Sequence, residues 1–204
     1  GYPADLIFRL CVNTINGLEN AYGGSGNPRA GSKGFHDLLV AIREAQVLGG
    51  AGFRTRRIKN GKDEVVMFLR PSTPKASGPI RKIRELLGLT PNGREFLVIP
   101  GAFSDSATDI AIQARSMLQV IIDFASYVQV PDTDIKEGRV DNLERSNEQE
   151  RMFPRLIKVH QGPARPVDSH VAIPYRNQWF WIDDRDMPSK QILSILTLMF
   201  SLTE

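Results

Sequence analysis

Phe53-Arg54-Thr55-Arg56-Arg57-Ile58-Lys59-Asn60-Gly61-Lys62-Asp63-Glu64-Val65-Val66-Met67-Phe68-Leu69 reads as a β-hairpin. Asn60-Gly61 suits a type I′ turn, because both turn positions need positive φ. A two-residue turn there sets Arg57 opposite Glu64 and Phe53 opposite Phe68. The second arm, Glu64 to Leu69, is apolar on both faces, which predicts a central strand of a sheet.

Helices are expected on both sides of this hairpin. Residues 4–19 place Leu6, Leu10, Ile15 and Leu18 near one face, and Asn16-Gly17 begins the end of that helix. Residues 20–31 are rich in Gly, Ser, Asn and Pro and read as a loop. Ser32 is suited to cap a helix reaching Leu48, with Leu38, Leu39, Ile42 and Val47 inward and Gly49-Gly50 stopping it. Beyond the hairpin, Pro79 sits near the start of a helix to Leu87, with Gly88 past its end. Phe96–Ile99 reads as a short buried strand. Ser106 and Asp109 resemble a capping box opening a long helix broken before Pro131, its core face carrying Ile110, Ala114, Met117, Leu118, Ile121, Ala125 and Val128.

Residues 131–154 are polar with mixed charge and are expected to form an exposed excursion or linker. Three strand-like stretches follow: Leu156–Val159, His170–Tyr175 and Trp179–Ile182. The last two are joined tightly through Arg176-Asn177, and Pro174 argues for an edge position. Ser189 is placed to cap a final helix that is apolar around most of its circumference, leaving Lys190, Ser194, Thr197 and Ser201 as a narrow polar stripe. Such a helix is normally buried, so a central position is expected, with cover by a missing segment or partner as the alternative. The pattern predicts an α+β fold: a mixed, largely antiparallel sheet with hairpins, covered by about five helices. It is expected as a single domain over residues 1–204, part of a longer precursor.

Bulk properties narrow the function classes. Of 204 residues, 41% are apolar and 24% charged, which is ordinary globular usage rather than disorder. The net charge of +3 is small for a dedicated nucleic-acid binder. No apolar run is long enough to cross a bilayer. Cys11 is the single cysteine, so no internal disulfide forms; among apolar neighbours it reads as a small buried residue rather than a reactive thiol.

No catalytic or metal signature stands out, and no cofactor is expected. His36, His160 and His170 lack paired ligand spacing, although neighbouring strands would bring His160 and His170 towards one another. Asp183-Asp184-Arg185-Asp186 lacks the spacing of a calcium loop and reads as a solvated turn with Arg185 paired locally. Gly101-Ala102-Phe103-Ser104-Asp105-Ser106 offers backbone N–H groups between a strand and a helix start but has no phosphate-loop lysine. The basic hairpin residues Arg54, Arg56, Arg57, Lys59 and Lys62 hint at nucleic acid. They split between two faces, however, and Glu64 is set to neutralise Arg57, so one phosphate backbone is poorly tracked. Trp179 and Trp181 share a strand face with Phe180 on the other, and Tyr175 is expected to join the tryptophans across the hairpin. Aromatic residues of this kind are enriched at protein interfaces.

Three stretches also carry a resemblance: Arg9-Leu10-Cys11-Val12-Asn13-Thr14-Ile15-Asn16-Gly17-Leu18, then Gln113-Ala114-Arg115-Ser116-Met117-Leu118, then Val171-Ala172-Ile173-Pro174-Tyr175-Arg176-Asn177-Gln178-Trp179-Phe180-Trp181-Ile182-Asp183-Asp184. Together they resemble the C-terminal part of a family of uncharacterised bacterial envelope proteins, often made as lipoproteins. The resemblance implies an exported precursor on the periplasmic side of the envelope, outer-membrane anchored through an N-terminal region, and no established activity. The leading expectation is a structural or protein-interaction module of an envelope assembly, contacting itself or another envelope protein. Tyr175, Trp179 and Trp181, with the stripe Lys190, Ser194, Thr197 and Ser201, are its contact candidates. The alternatives are an enzyme gathering His160 or His170 with a carboxylate and Arg115, and nucleic-acid binding through the basic hairpin.

Overall fold

The computed structural model describes residues 4–23, 29–57, 61–140 and 147–201. These form an α+β fold, with seven α-helices and nine strands in two sheets among the described residues. The chain is organised as two compact units, where the sequence suggested one domain. The first runs from the N-terminus to Ala21 and from Arg29 to Val120; the second takes Tyr22 and the chain from Ile121 onward.

The first unit is a six-stranded mixed sheet with helices. Its elements are α1 (Ala4–Cys11), β1 (Val12–Ile15), β2 (Leu18–Glu19), α2 (Lys33–Val47), β3 (Ala51–Arg57), β4 (Asp63–Leu69), α3 (Ser77–Leu87), β5 (Glu95–Pro100) and β6 (Asp109–Ala114). The strand order is β2-β1-β6-β5-β4-β3; only β5 and β6 are parallel. The second hairpin arm, β4, is central, between β3 and β5, as its two-sided apolar pattern requires. The Ser32 hydroxyl accepts the Phe35 N–H at 3.1 Å and starts α2. Gly88, at φ 65°, ends α3 in the left-handed conformation that glycine adopts without a Cβ clash. Leu10, Phe35, Leu38, Met67, Ile80, Ile83, Phe96 and Ile110 are fully buried. Each such side chain contributes on the order of 1.5–3 kcal/mol relative to exposure.

Three expectations are corrected here. The helix over 4–19 stops at Cys11; Asn16 (φ 43°) and Gly17 (φ 79°) form the turn between β1 and β2, with Ile15 opposite Leu18. The helix expected from Ser106 starts only at Met117 and ends at Ala125: Asp109–Ala114 ahead of it is β6, held between β1 and β5. In the β3–β4 hairpin, Arg57 pairs with Asp63, Arg56 with Glu64 and Phe53 with Met67, so the register differs from the expected one. Five residues link the paired ends instead of two; Lys59 and Asn60 lie outside the described residues.

The second unit holds α5 (Asp132–Lys136), α6 (Asn147–Met152), β7 (His160–Gly162), β8 (Ser169–Tyr175), β9 (Gln178–Asp183) and α7 (Met187–Ser201), while α4 (Met117–Ala125) carries the unit boundary. Its sheet order is β7-β9-β8, antiparallel throughout. Arg176 (φ 47°) and Asn177 (φ 63°) make the tight β8–β9 turn, and Pro174 lies on the edge strand β8. The strand expected at Leu156–Val159 begins instead at His160; Leu156 and Ile157 are buried core residues outside any strand. Tyr127, Phe153, Ile182, Ile192 and Ile195 complete that core.

The last helix also differs from expectation. Its capping side chain is Asp186, which accepts the Ser189 N–H at 3.2 Å; the buried Ser189 hydroxyl donates to the same carboxylate at 2.7 Å and accepts the Lys158 N–H at 2.9 Å. The helix is not central: Ile192 and Ile195 are buried, but Met187 and Leu198 are more than half exposed. An apolar residue on the outer side of a surface helix finds no core to enter, whatever its hydrophobicity. Among the described residues no helix is long and apolar enough to cross a membrane.

Candidate interaction surface

The second unit holds Tyr175, Trp179, Trp181 and Lys190, the contact candidates singled out above. Alternation along β9 puts Trp179 and Trp181 on one face and Phe180 and Ile182 on the other. The buried Ile182 marks the inner face, so both tryptophans look outward and are half-buried. They share that face with their register partners Pro174 and Ala172 on β8 and Gly162 and His160 on β7. A Cβ on Gly162 would lie 3.3 Å from the Trp181 ring, so glycine gives the indole a flat bed. The His160 imidazole stacks on Trp181, with ring centres 5.6 Å apart, and the Arg165 guanidinium lies 5.5 Å over the Trp179 ring.

Tyr175 does not join the tryptophans. It pairs with Gln178 and therefore sits on the opposite face, beside Phe180 at 6.5 Å, with the Arg176 guanidinium 5.3 Å over its ring. The end of the β8–β9 hairpin thus carries an aromatic–cation pair on each face. Ile173 and Tyr175 there are 60% and 59% exposed, which identifies this end as the wet, apolar part of the unit.

The polar stripe of α7 is differently employed. The Lys190 ammonium bonds to Asp184 at 2.8 Å, while the hydroxyls of Ser194, Thr197 and Ser201 donate to carbonyls of their own helix. The acidic run is locally paired as expected of a turn. Arg185 bonds to Asp168 at 2.6 Å, Asp183 accepts the Arg185 N–H, and Asp186 caps α7. The hydrogen bond from Lys190, then its charge, holds Asp184 below the ordinary carboxylate range, with His170 and Arg185 adding to the effect.

The other candidate constellations disperse. His160 and His170 are not on neighbouring strands, because β9 lies between β7 and β8; two strand spacings separate them by about 10 Å. His170 faces Asp184 at 3.8 Å, and His36 lies 3.6 Å from Asp37. No cluster of three potential metal ligands occurs among the described residues. Arg115, buried in the first unit, donates to the backbone carbonyls of Arg9 and Ala21, so its guanidinium ties chain segments together. The segment Gly101–Ser106 leads into strand β6 rather than a helix, and its hydroxyls bond within the loop, Ser104 accepting the Ser106 N–H and Ser106 the Thr108 N–H.

In the basic hairpin the arginines meet acids. Arg54 lies 2.7 Å from Glu95, Arg56 lies 2.8 Å from Glu64, and Arg70 also reaches Glu95. Glu64 therefore neutralises Arg56, not Arg57, as the altered register dictates. Glu95 is held below the ordinary carboxylate range, chiefly by the hydrogen bond from Arg54. Arg57 and Lys62 are exposed at the hairpin end, and Lys59 lies outside the described residues. Cys11 is only partly buried, yet burial raises its thiol pKa more than the Arg115 charge lowers it.

No family model, curated protein or solved structure matches this chain. The sequence reasoning missed Arg165 and the His160–Trp181 stack. Gly162 was the available signal, since a glycine inside a strand often marks the close approach of a large neighbour.

Proposed function

We propose that this chain is a protein-interaction module of a bacterial envelope assembly, and that the end of the β8–β9 hairpin is its contact surface. The observation that carries the reading is the pairing of Tyr175 with Arg176, on the face of the exposed Ile173, and of Trp179 with Arg165 on the other face of the same hairpin end. Tyrosine, tryptophan and arginine are the residues most enriched at the energetic centres of protein interfaces. Rings already held by neighbouring guanidinium groups lose little side-chain freedom on docking. Pro174 removes a backbone donor from the edge strand, which favours recognition by side chains over the addition of a strand from the partner. The envelope setting rests on the resemblance of the three sequence stretches, and the partner is a second copy or another envelope protein.

The test is site-specific photo-crosslinking in the producing cell, with a benzophenone amino acid at position 173. A discrete adduct that is lost on Trp179→Ala or Tyr175→Ala supports the module. Each alanine variant is expected to cost about 2 kcal/mol of binding, or roughly 30-fold in affinity. The absence of any adduct at position 173, with a control position on α2 equally silent, counts against it. Fractionation of the same cells tests the envelope setting separately: recovery in the cytosol would remove it.

A further inference from the structure

The second unit contains a cavity of about 610 Å³, lined by residues from the 125–135 and 155–161 stretches. The two stretches are tied by a parallel bridge between Val128 and Val159, by the Gln129 N–H donating to the Val159 carbonyl at 3.0 Å, and by the Gln161 N–H on the Gln129 side-chain oxygen at 3.4 Å. The volume lies within the range of small-molecule sites, about 300–1,000 Å³.

Its lining is chemically one-sided. Arg155 and Lys158 contribute positive charge, and no Asp or Glu among the described residues lines the cavity. Glu150 holds Arg155 from outside the lining at 3.5 Å. The Lys158 ammonium has no carboxylate partner among the described residues, while its backbone N–H is fixed on Ser189. Val128, Val130 and Ile135 add aliphatic side chains to the same lining. Two cations drawn together in one concave lining attract an anion more strongly than either does alone on an open surface.

We infer that this cavity binds a small organic anion, with its acidic head on Lys158 and Arg155 and its apolar body against Val128, Val130 and Ile135. Carboxylates and phosphate esters share the head chemistry required. The site is independent of the hairpin end proposed above, so one can fail without the other.

The experiment is calorimetric titration of the whole chain with 1-naphthyl phosphate, 1-naphthoate and 1-naphthol at neutral pH. The expected result is binding of both anions, with neutral naphthol at least tenfold weaker. Lys158→Gln, at an exposed position that leaves the fold intact, is expected to weaken both anions at least tenfold and leave naphthol unchanged. Ile135→Asp, which adds a negative charge to the wall, is expected to weaken both anions as well. Equal affinity for naphthol and the anions would overturn the site. So would anion affinity unchanged in Lys158→Gln, or no binding of any probe at millimolar concentration. Relative strength of the two anions then identifies the preferred head group.

Discussion

Replacing Asn20 by Ala removes a tie that fixes where α1 ends. Asn20 is 2% exposed, and its amide Nδ2 lies 2.7 Å from the Val12 carbonyl, 2.9 Å from that of Arg9 and 3.4 Å from that of Phe8. Arg115 also donates to the Arg9 carbonyl, at 3.3 Å, so that acceptor keeps one donor in the variant. The Val12 carbonyl loses its shortest side-chain donor, and the Phe8 bond is long enough to count little. One lost hydrogen bond of about 1 kcal/mol and one buried acceptor deprived of its donor, about 1–3 kcal/mol, give a destabilisation of about 2–4 kcal/mol. For a chain of this size that lowers the midpoint of thermal unfolding by roughly 5–15 °C. Because two units need not melt together, circular dichroism should be paired with the accessibility of Cys11, which reports the first unit. Asn20→Asp is the stricter variant: it keeps the shape but turns acceptors toward acceptors, and is expected to lose at least as much. Midpoints within 1 °C of the unsubstituted chain for both variants would refute the tie.

Other outcomes follow from the same structure. Glu95 binds its proton less readily folded than unfolded, so its contribution is present at neutral pH and is lost as pH falls through the carboxylate range below its ordinary 4.5. Glu95→Gln is accordingly expected to flatten the acid limb of stability against pH, measured by urea unfolding between neutrality and pH 3. The thiol of Cys11 is held protonated by burial, so at pH 8 it should react with a disulfide reagent more slowly in the native chain than in urea. Asp186→Ala removes the cap of α7, and a loss of about 1 kcal/mol is expected from its urea midpoint. Gly162→Val forces a side chain against the Trp181 ring and should alter tryptophan fluorescence while leaving the first unit's Cys11 accessibility unchanged.

Elements with strong local punctuation were legible in the sequence. Ser32 and Gly88 bound α2 and α3 because capping is a local event, and the Arg176-Asn177 turn was marked by Asn177, a residue that enters the positive-φ region more readily than most. Misreadings arose where tertiary pairing overrode a helical pattern. Asn16-Gly17 looked like a helix end and is instead a hairpin turn, whose Asn16 side chain accepts the Ala111 N–H at 2.6 Å and donates to the Leu87 carbonyl at 2.9 Å. Ile110, Ala111 and Ile112 satisfy a strand between β1 and β5 as well as a helix, and only the partners of that strand decide. At the candidate surface, alternation correctly joined Trp179 with Trp181. Tyr175 was misplaced although the legible two-residue turn already pairs it with Gln178, one position out of phase with Trp179 and Trp181. Gly162 is a local mark for the strand that brings His160 to Trp181, whereas Arg165 lies outside any strand and leaves none.

Hydroxyl-radical footprinting of Ile173 and Tyr175, compared between purified protein and intact envelopes, tests the interaction reading most directly. The account predicts ready oxidation of both side chains in the purified chain, where they are 60% and 59% exposed, and several-fold protection in the envelope. Equal oxidation in the two settings, with a buried residue such as Phe96 equally protected in both, would contradict it.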